Sequence, residues 1–258
     1  MLRQFKDIKN LGLGAEDGEI GRVKDIYFDD QSWTVRYLVA DTRTWLPGRL
    51  VLISPASVAG IDEQDVKVNL TKRQIEAAPS VDTDKPVSRQ HELDYARYYG
   101  WPMYWYGPEL WGSAPYPVFD GTVSERPTSD PLRNQTETGD PHLRSASEVI
   151  GYHIHGTDDK IGHVDDLITD DTDWGIRYLD VHTRNWLPGK HVLLAPQWIR
   201  EVSWGRSEVV VDLTADAIRN APEYESANNI TRDYEEKLYR HYGREGYWAR
   251  RPEFAHSR

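Results

Sequence analysis

The chain has 258 residues, long enough for two domains of ordinary size that each bury a core without metal or disulfide support. It contains no cysteine, which excludes disulfides, thiolate chemistry and Cys-based zinc sites. With 42 Asp and Glu against 31 Lys and Arg the net charge is −11, a balance that repels a phosphate backbone; no basic patch is segregated along the chain, so no nucleic-acid partner is expected.

Met1 to Asn10 alternates charged and apolar residues, unlike a secretory signal, and no run of about 20 apolar residues exists to span a membrane. A soluble, cytoplasmic protein without membrane insertion is expected. The glycine-rich run Leu11 to Gly18 looks like a dinucleotide fingerprint but is one residue too long, and no helix follows its last glycine, so it reads as a turn. Ile20–Phe28 and Val35–Ala40 are β-branched and aromatic segments around the turn formers Asp29-Asp30-Gln31-Ser32, and they read as a hairpin. Val35, Tyr37 and Val39 should share one face of it. Arg36 and Arg177, each on a strand, are expected to form ion pairs. The loop Thr42–Arg49 ends in Pro47-Gly48 before a strand at Leu50–Ile53, and Val66–Leu70 makes one more. Thr71 fits the N-cap of a helix over Lys72–Ala77 that Pro79 ends. Ser88 caps a second helix from Arg89 to Tyr99, with Leu93 and Ala96 on one stripe and Gly100 as its stop.

The segment Trp101–Asp140 is rich in Pro, Gly, Ser and Thr and lacks a sustained period, so it reads as a linker. Its opening hexad, Trp101 to Tyr106, is too aromatic to be left in water and should pack on a barrel or a partner, whereas Thr122–Gly139 should be loose. The chain holds 10 Trp and 15 Tyr against 4 Phe, so most of its rings carry a polar handle suited to interfaces.

Beyond the linker the sequence repeats itself. A shift of 141 positions aligns Asp17–Pro55 with Asp158–Pro196, and 20 of the 39 pairs are identical, among them Ile20-Gly21, Trp33, Arg36-Tyr37-Leu38 and Trp45-Leu46-Pro47-Gly48. A two-residue insertion near Gly205, placed in a turn, changes the offset to 143. The match then continues from Val68-Asn69-Leu70-Thr71 through Glu92 and Glu235 to Tyr99-Gly100 and Tyr242-Gly243. Two copies make a tandem duplication, not a solenoid.

Each copy resembles the PRC-barrel, the small β-barrel shared by the cytoplasmic part of the photosynthetic reaction-centre H subunit and the carboxy-terminal part of the ribosome maturation protein RimM. The residues that carry the resemblance are Ile20-Gly21-Arg22-Val23-Lys24-Asp25, Arg36-Tyr37-Leu38-Val39 and the Trp45-Leu46-Pro47-Gly48 loop leading to Val51-Leu52-Ile53-Ser54-Pro55, each with its counterpart in the second copy. The closer likeness is to bacterial tandem PRC-barrel proteins that also carry the Val87-Ser88-Arg89 helix and the Tyr99-Gly100-Trp101-Pro102 ending. The resemblance implies a mainly β fold with short helices, built as two small PRC-like β-barrels related by internal duplication. The first repeat with its C-terminal helix would span residues 1–100, the linker 101–141, and the second repeat with its helix 142–258.

Members of this family act mainly as assembly and regulatory modules and share no catalytic motif. No nucleophile elbow, metalloprotease motif or paired catalytic carboxylates occur in the sequence. A non-enzymatic adaptor without a cofactor is therefore expected, binding a protein partner or forming a homo-oligomer. Arg43 and Trp45, with Arg184 and Trp186 in the second copy, sit in the repeated Pro-Gly loop. Together with Trp101, Tyr104 and Trp105 they are the candidate partner-binding residues, because Arg and aromatic side chains anchor interfaces. One alternative is a metal- or small-ligand-binding module: His153 and His155 lie two apart on a strand, and His163, His182 and His191 share their module. The other is an assembly role like that of the reaction-centre H subunit. The acidic runs Asp29-Asp30, Asp165-Asp166 and Asp170 to Asp173 lack the glycine and terminal glutamate of a calcium loop and read as solvated turns.

Overall fold

The computed structural model describes residues 1–42, 46, 50–78, 87, 89–118, 142–183 and 189–249. The first half runs β1 (Leu2–Gln4), α1 (Phe5–Ile8), β2 (Gly12–Ala15), β3 (Gly18–Asp29), β4 (Thr34–Asp41), β5 (Leu50–Ile53), β6 (Val58–Ile61), β7 (Asp65–Val68), α2 (Lys72–Ala77) and α3 (Arg89–Tyr99). The second runs β8 (Leu143–Ser145), α4 (Ala146–Val149), β9 (His153–His155), β10 (Lys160–Asp170), β11 (Ile176–His182), β12 (His191–Leu194), β13 (Ile199–Ser203), β14 (Glu208–Val211), α5 (Ala215–Arg219) and α6 (Arg232–His241).

The strands form two seven-stranded sheets with the same internal order. One is β5-β4-β3-β2-β7-β6 with β8 added against β3; the other is β12-β11-β10-β9-β14-β13 with β1 added against β10. The fold is mainly β with short helices, as expected. Among the described residues the expected closed barrels are not formed, because each sheet is an open path with two ends. Their terminal strands are only four or five residues long. Their edge groups find other partners: Arg3 Nη2 donates to the Ile61 carbonyl on β6 at 3.1 Å, and the Tyr224 amide donates to His191 on β12 at 3.0 Å. An edge satisfied in this way no longer needs closure.

The chain divides into two compact units. Unit 1 comprises Met1, 3–149 and 167–177. Its core gathers Leu13, Ile20, Val23, Ile26, Phe28, Leu38, Leu52, Ile53 and Ile75, all essentially removed from solvent. Thr34 to Ala40 are all buried, so both faces of β4 are covered. The face carrying Tyr37 is covered by α3, whose Glu92 that residue touches. Gly21 is required where β3 crosses β4: its φ is +132°, and a Cβ there would lie 1.9 Å from the Asp41 carbonyl oxygen. The retained Gly162 meets His182 in the same way at 2.0 Å.

The glycine run expected to be a turn is largely strand β2, antiparallel to β3 and parallel to β7. Glycine allowed both readings, and long-range pairing decided between them. β3 has twelve residues against the four of β2, so its far end offers an unpaired edge. β8 fills it, with Phe28 opposite Arg144. The loop between β10 and β11 belongs to the same unit. There Thr34 bridges Gly175, and the Val35 and Ile176 amides donate to Trp174 and Trp33 respectively. α2 begins on a full capping box between Thr71 and Gln74, as the sequence indicates.

Unit 2 comprises Leu2, 150–166 and 178–258. Ile154, Ile161, Val164, Leu179, Val192, Leu193, Val209, Ile218 and Leu238 fill its interior. α6 starts at Thr231, whose hydroxyl accepts the Tyr234 amide. The two-residue insertion sits in a single 3₁₀ turn, Trp204–Arg206, between β13 and β14.

Candidate functional site

Each unit holds one buried carboxylate from the first turn of its long helix. In unit 1 Glu92 is fully buried. It accepts from the Tyr104 hydroxyl at 2.5 Å and the Tyr37 hydroxyl at 3.3 Å, and it faces Arg89 at 3.2 Å and His142 at 2.9 Å. In unit 2 Glu235 accepts from Tyr178 at 2.7 Å and Tyr247 at 2.9 Å, with Arg232 at 3.0 Å. Arg89 and Arg232 each lie three residues before their glutamate on the same helical face. Each also covers a Trp: Arg89 lies 4.3 Å from the Trp105 ring centre and Arg232 4.1 Å from that of Trp248. Burial, and then the charge of Glu92, push the Tyr37 and Tyr104 hydroxyls well above the ordinary tyrosine range. They act as hydrogen-bond donors that stay protonated. Multiple donors to a buried carboxylate are what make its burial tolerable.

Unit 1 adds a cavity of about 380 Å³, lined by Arg36, Arg89, Tyr104, Trp105 and Glu109 among others. Arg36 projects from β4 and is only 3% exposed. It lies 3.8 Å from the Tyr104 ring centre and 4.9 Å from that of Trp111. Its Nη1 donates to the Leu110 carbonyl at 2.7 Å and its Nη2 to Ser32 Oγ at 3.0 Å, while its Nε is buried without a partner among the described residues. The expected ion pair of Arg36 is absent among the described residues. Desolvation holds its pKa below the ordinary guanidinium range, against the opposing charges of Asp29 and Glu92. Arg177 does form the expected pair, with Asp170 at 3.1 Å and with Asp173. A concave site with two guanidinium groups against aromatic walls is suited to recognising an anion.

The expected site residues are distributed unevenly around this cavity. Tyr104 and Trp105 line it. Trp101 does not line it; it is buried, stacked on Tyr99 at 4.1 Å and donating from Nε1 to Ser57 at 2.6 Å. Arg43, Trp45, Arg184 and Trp186 lie outside the described residues, as does the expected loose segment Thr122–Gly139. The acidic runs are not solvated turns throughout. Asp29 is buried and accepts the Gln31 and Ser32 amides, Asp30 pairs with Arg144 at 2.8 Å, and Asp166 is 1% exposed. Short carboxylates here hold turns and strands together.

His153 is exposed and His155 half-buried, 3.6 Å from Glu208. The metal-capable group among the described residues is a different one, Asp165, Asp180 and His191, whose donor atoms lie within 4.8 Å of one another. Asp180 is buried and pairs with His191 Nδ1 at 2.8 Å. The rings of His163, His182 and His191 follow one another at 5.4 and 4.9 Å. Sequence spacing pointed to His153 and His155 because i and i+2 share a strand face. The convergent group spans three neighbouring strands, and only the pairing of His182 with His191 reveals it.

The cavity residues Arg36 and Glu109 were also missed as a site. Arg36 is one of the retained residues, but nothing local in the sequence says that its partner is lacking. Among curated proteins, none matches this chain. Residues 141–218, the stretch that runs through β8 to β14 and into α5, match the family model of the PRC-barrel domain, and a PRC-barrel domain is therefore present there.

Proposed function

We propose that this protein is a non-enzymatic interaction or assembly adaptor, a tandem pair of PRC-barrel-type units that arose by internal duplication, and that it docks a protein partner at the unit 1 cavity. The observation that supports this reading is the grouping of Trp105, Tyr104, Arg36 and Arg89 around one concavity. Tyr, Trp and Arg are the residue types that dominate interface hot spots. The repeated strand order of the two sheets, together with the 141-residue sequence repeat, supports the duplication. The test is crosslinking and co-purification from the native host with the full chain and with Trp105→Ala. A defined partner captured by the unaltered chain and lost with Trp105→Ala is the expected result. Recovery of no partner after crosslinking, or equal recovery by the variant, overturns the reading.

A second reading, a divalent-metal module in unit 2, is favoured by the convergence of Asp165, Asp180 and His191. Mixed carboxylate and imidazole donors suit Zn²⁺ or Ni²⁺. On this reading the full chain takes up zinc stoichiometrically in calorimetry, Asp180→Asn or His191→Gln abolishes uptake, and the pair His153→Ala with His155→Ala does not. Absence of zinc and nickel uptake removes it.

A further inference from the structure

We propose that the unit 1 cavity is a carboxylate site that receives an acidic side chain of a partner protein. This inference rests on the adaptor reading and names the chemistry of its docking site.

Two arginines at matching places in the sequence carry unequal counter-charge. Arg177 and Arg36 occupy equivalent places in the sequence repeat, each four residues after the last acidic or hydroxyl residue of its turn. Around Arg177 the turn supplies two carboxylates, Asp170 and Asp173, and both bind its guanidinium. Around Arg36 the equivalents are Asp29 and Ser32. Ser32 brings a hydroxyl in place of a charge, and Asp29 turns one oxygen to the Gln31 and Ser32 amides. The guanidinium of Arg36 is nonetheless buried, with Nε unpartnered. A buried cation whose direct partners are a carbonyl and a hydroxyl, with no carboxylate in contact, is costly, and the cost falls when a carboxylate is placed against it.

The cavity is where such an anion can enter. Arg36 contributes to its wall, and Arg89, 36% exposed, lines it beside the Trp105 ring. Tyr104 and Trp105 supply apolar walls for the methylenes of a short side chain. The volume, about 380 Å³, is near the lower end of ligand cavities and fits one residue better than a large cofactor. Glu109 and Asp29 line the same space. Their negative charge disfavours a dianion such as phosphate and leaves a single carboxylate as the anion that two guanidinium groups can hold.

The experiment is a titration of the full chain, with its tryptophan indoles labelled with ¹⁵N, using blocked glutamate (N-acetyl-Glu-N-methylamide), the matching blocked glutamine, and inorganic phosphate. The reporter is the Trp105 indole N–H resonance, assigned with Trp105→Phe. The expected result is a saturable shift with glutamate and at least about 10-fold weaker binding of glutamine, which corresponds to the loss of about 1.4 kcal/mol. Phosphate should also bind more weakly than glutamate. Arg36 is packed too deeply to be the first substitution, so Arg89→Gln and Glu109→Gln carry the test. The first should weaken glutamate binding about 10-fold and the second should tighten it about 3-fold. Equal shifts with glutamate and glutamine, or a Glu109→Gln variant that binds no tighter, overturn the proposal. A captured partner whose crosslink survives Arg89→Gln sinks the carboxylate site and leaves the adaptor reading standing. A glutamate shift with no partner captured rejects the protein side chain as its source.

Discussion

Arg36 and Arg177 show how one residue type in one repeated sequence context acquires two roles through its neighbours: a single exchange of Asp for Ser in a turn leaves one guanidinium paired and the other facing a cavity. Trp33 and Trp174 make a second such point. Both adopt positive φ, +51° and +63°, which a bulky residue avoids unless packing holds it there. Trp33 stacks on Phe28 at 5.1 Å and Trp174 is 2% exposed, so burial offsets the strain. The tyrosines yield a prediction in pH. Tyr242 carries a buried hydroxyl with no partner among the described residues, and burial, then the nearby Tyr234, raise its pKa above the ordinary value. The unfolded chain ionises its tyrosines at about pH 10 while the folded chain keeps them protonated, so the unfolded state loses protons first and stability falls as pH rises past about 10. The melting temperature should therefore drop steeply between about pH 9 and 11. Tyr242→Phe should flatten the drop and leave the value near pH 7 unchanged, since it removes no hydrogen bond. Thermal melts across that range check it, and an unaltered slope in the variant refutes it.

Among the elements, α2, α3 and α6 are announced locally. Thr71 and Thr231 accept the amides of Gln74 and Tyr234, and Gly100 and Gly243 take positive φ after α3 and α6. β8 is not announced locally. Its three residues have no strand signature of their own, and they are held by β3 together with side chains around Asp25. That carboxylate accepts from the Ser145 hydroxyl at 2.5 Å, from the Ser147 amide and hydroxyl at 3.1 Å, and from the Ile26 amide at 2.8 Å. Asp25 also matches Asp166 when the sequence is shifted by 141 positions. Asp25→Ala should cost about 2 kcal/mol, the sum of lost charge-assisted bonds less what water restores. In urea melts this appears as a lowered midpoint, and amide exchange of Arg144 and Ser145 should speed up. Unchanged exchange at β8 would show that the ladder alone holds it.

At the scale of the molecule, the sequence by itself determined the strand-rich composition, the principal hairpin from β3 to β4, the three capped helices and the repeat. These depend on contacts between near neighbours, on the spacing of apolar residues, and on self-comparison of the chain. The aromatic hexad was legible in part, since its composition demanded burial and Trp101 and Tyr104 are buried. Only the tertiary structure decided that the sheets stay open, that β8 completes β3 and β1 joins β10, and that Asp165, Asp180 and His191 converge. It also decided that the Arg36 guanidinium has a carbonyl and a hydroxyl as its direct partners in the wall of a cavity. Each of these depends on which distant strand edge meets which. Pairing at long separation is set by the total of buried area and satisfied backbone groups over the whole sheet, a quantity no local window of sequence contains.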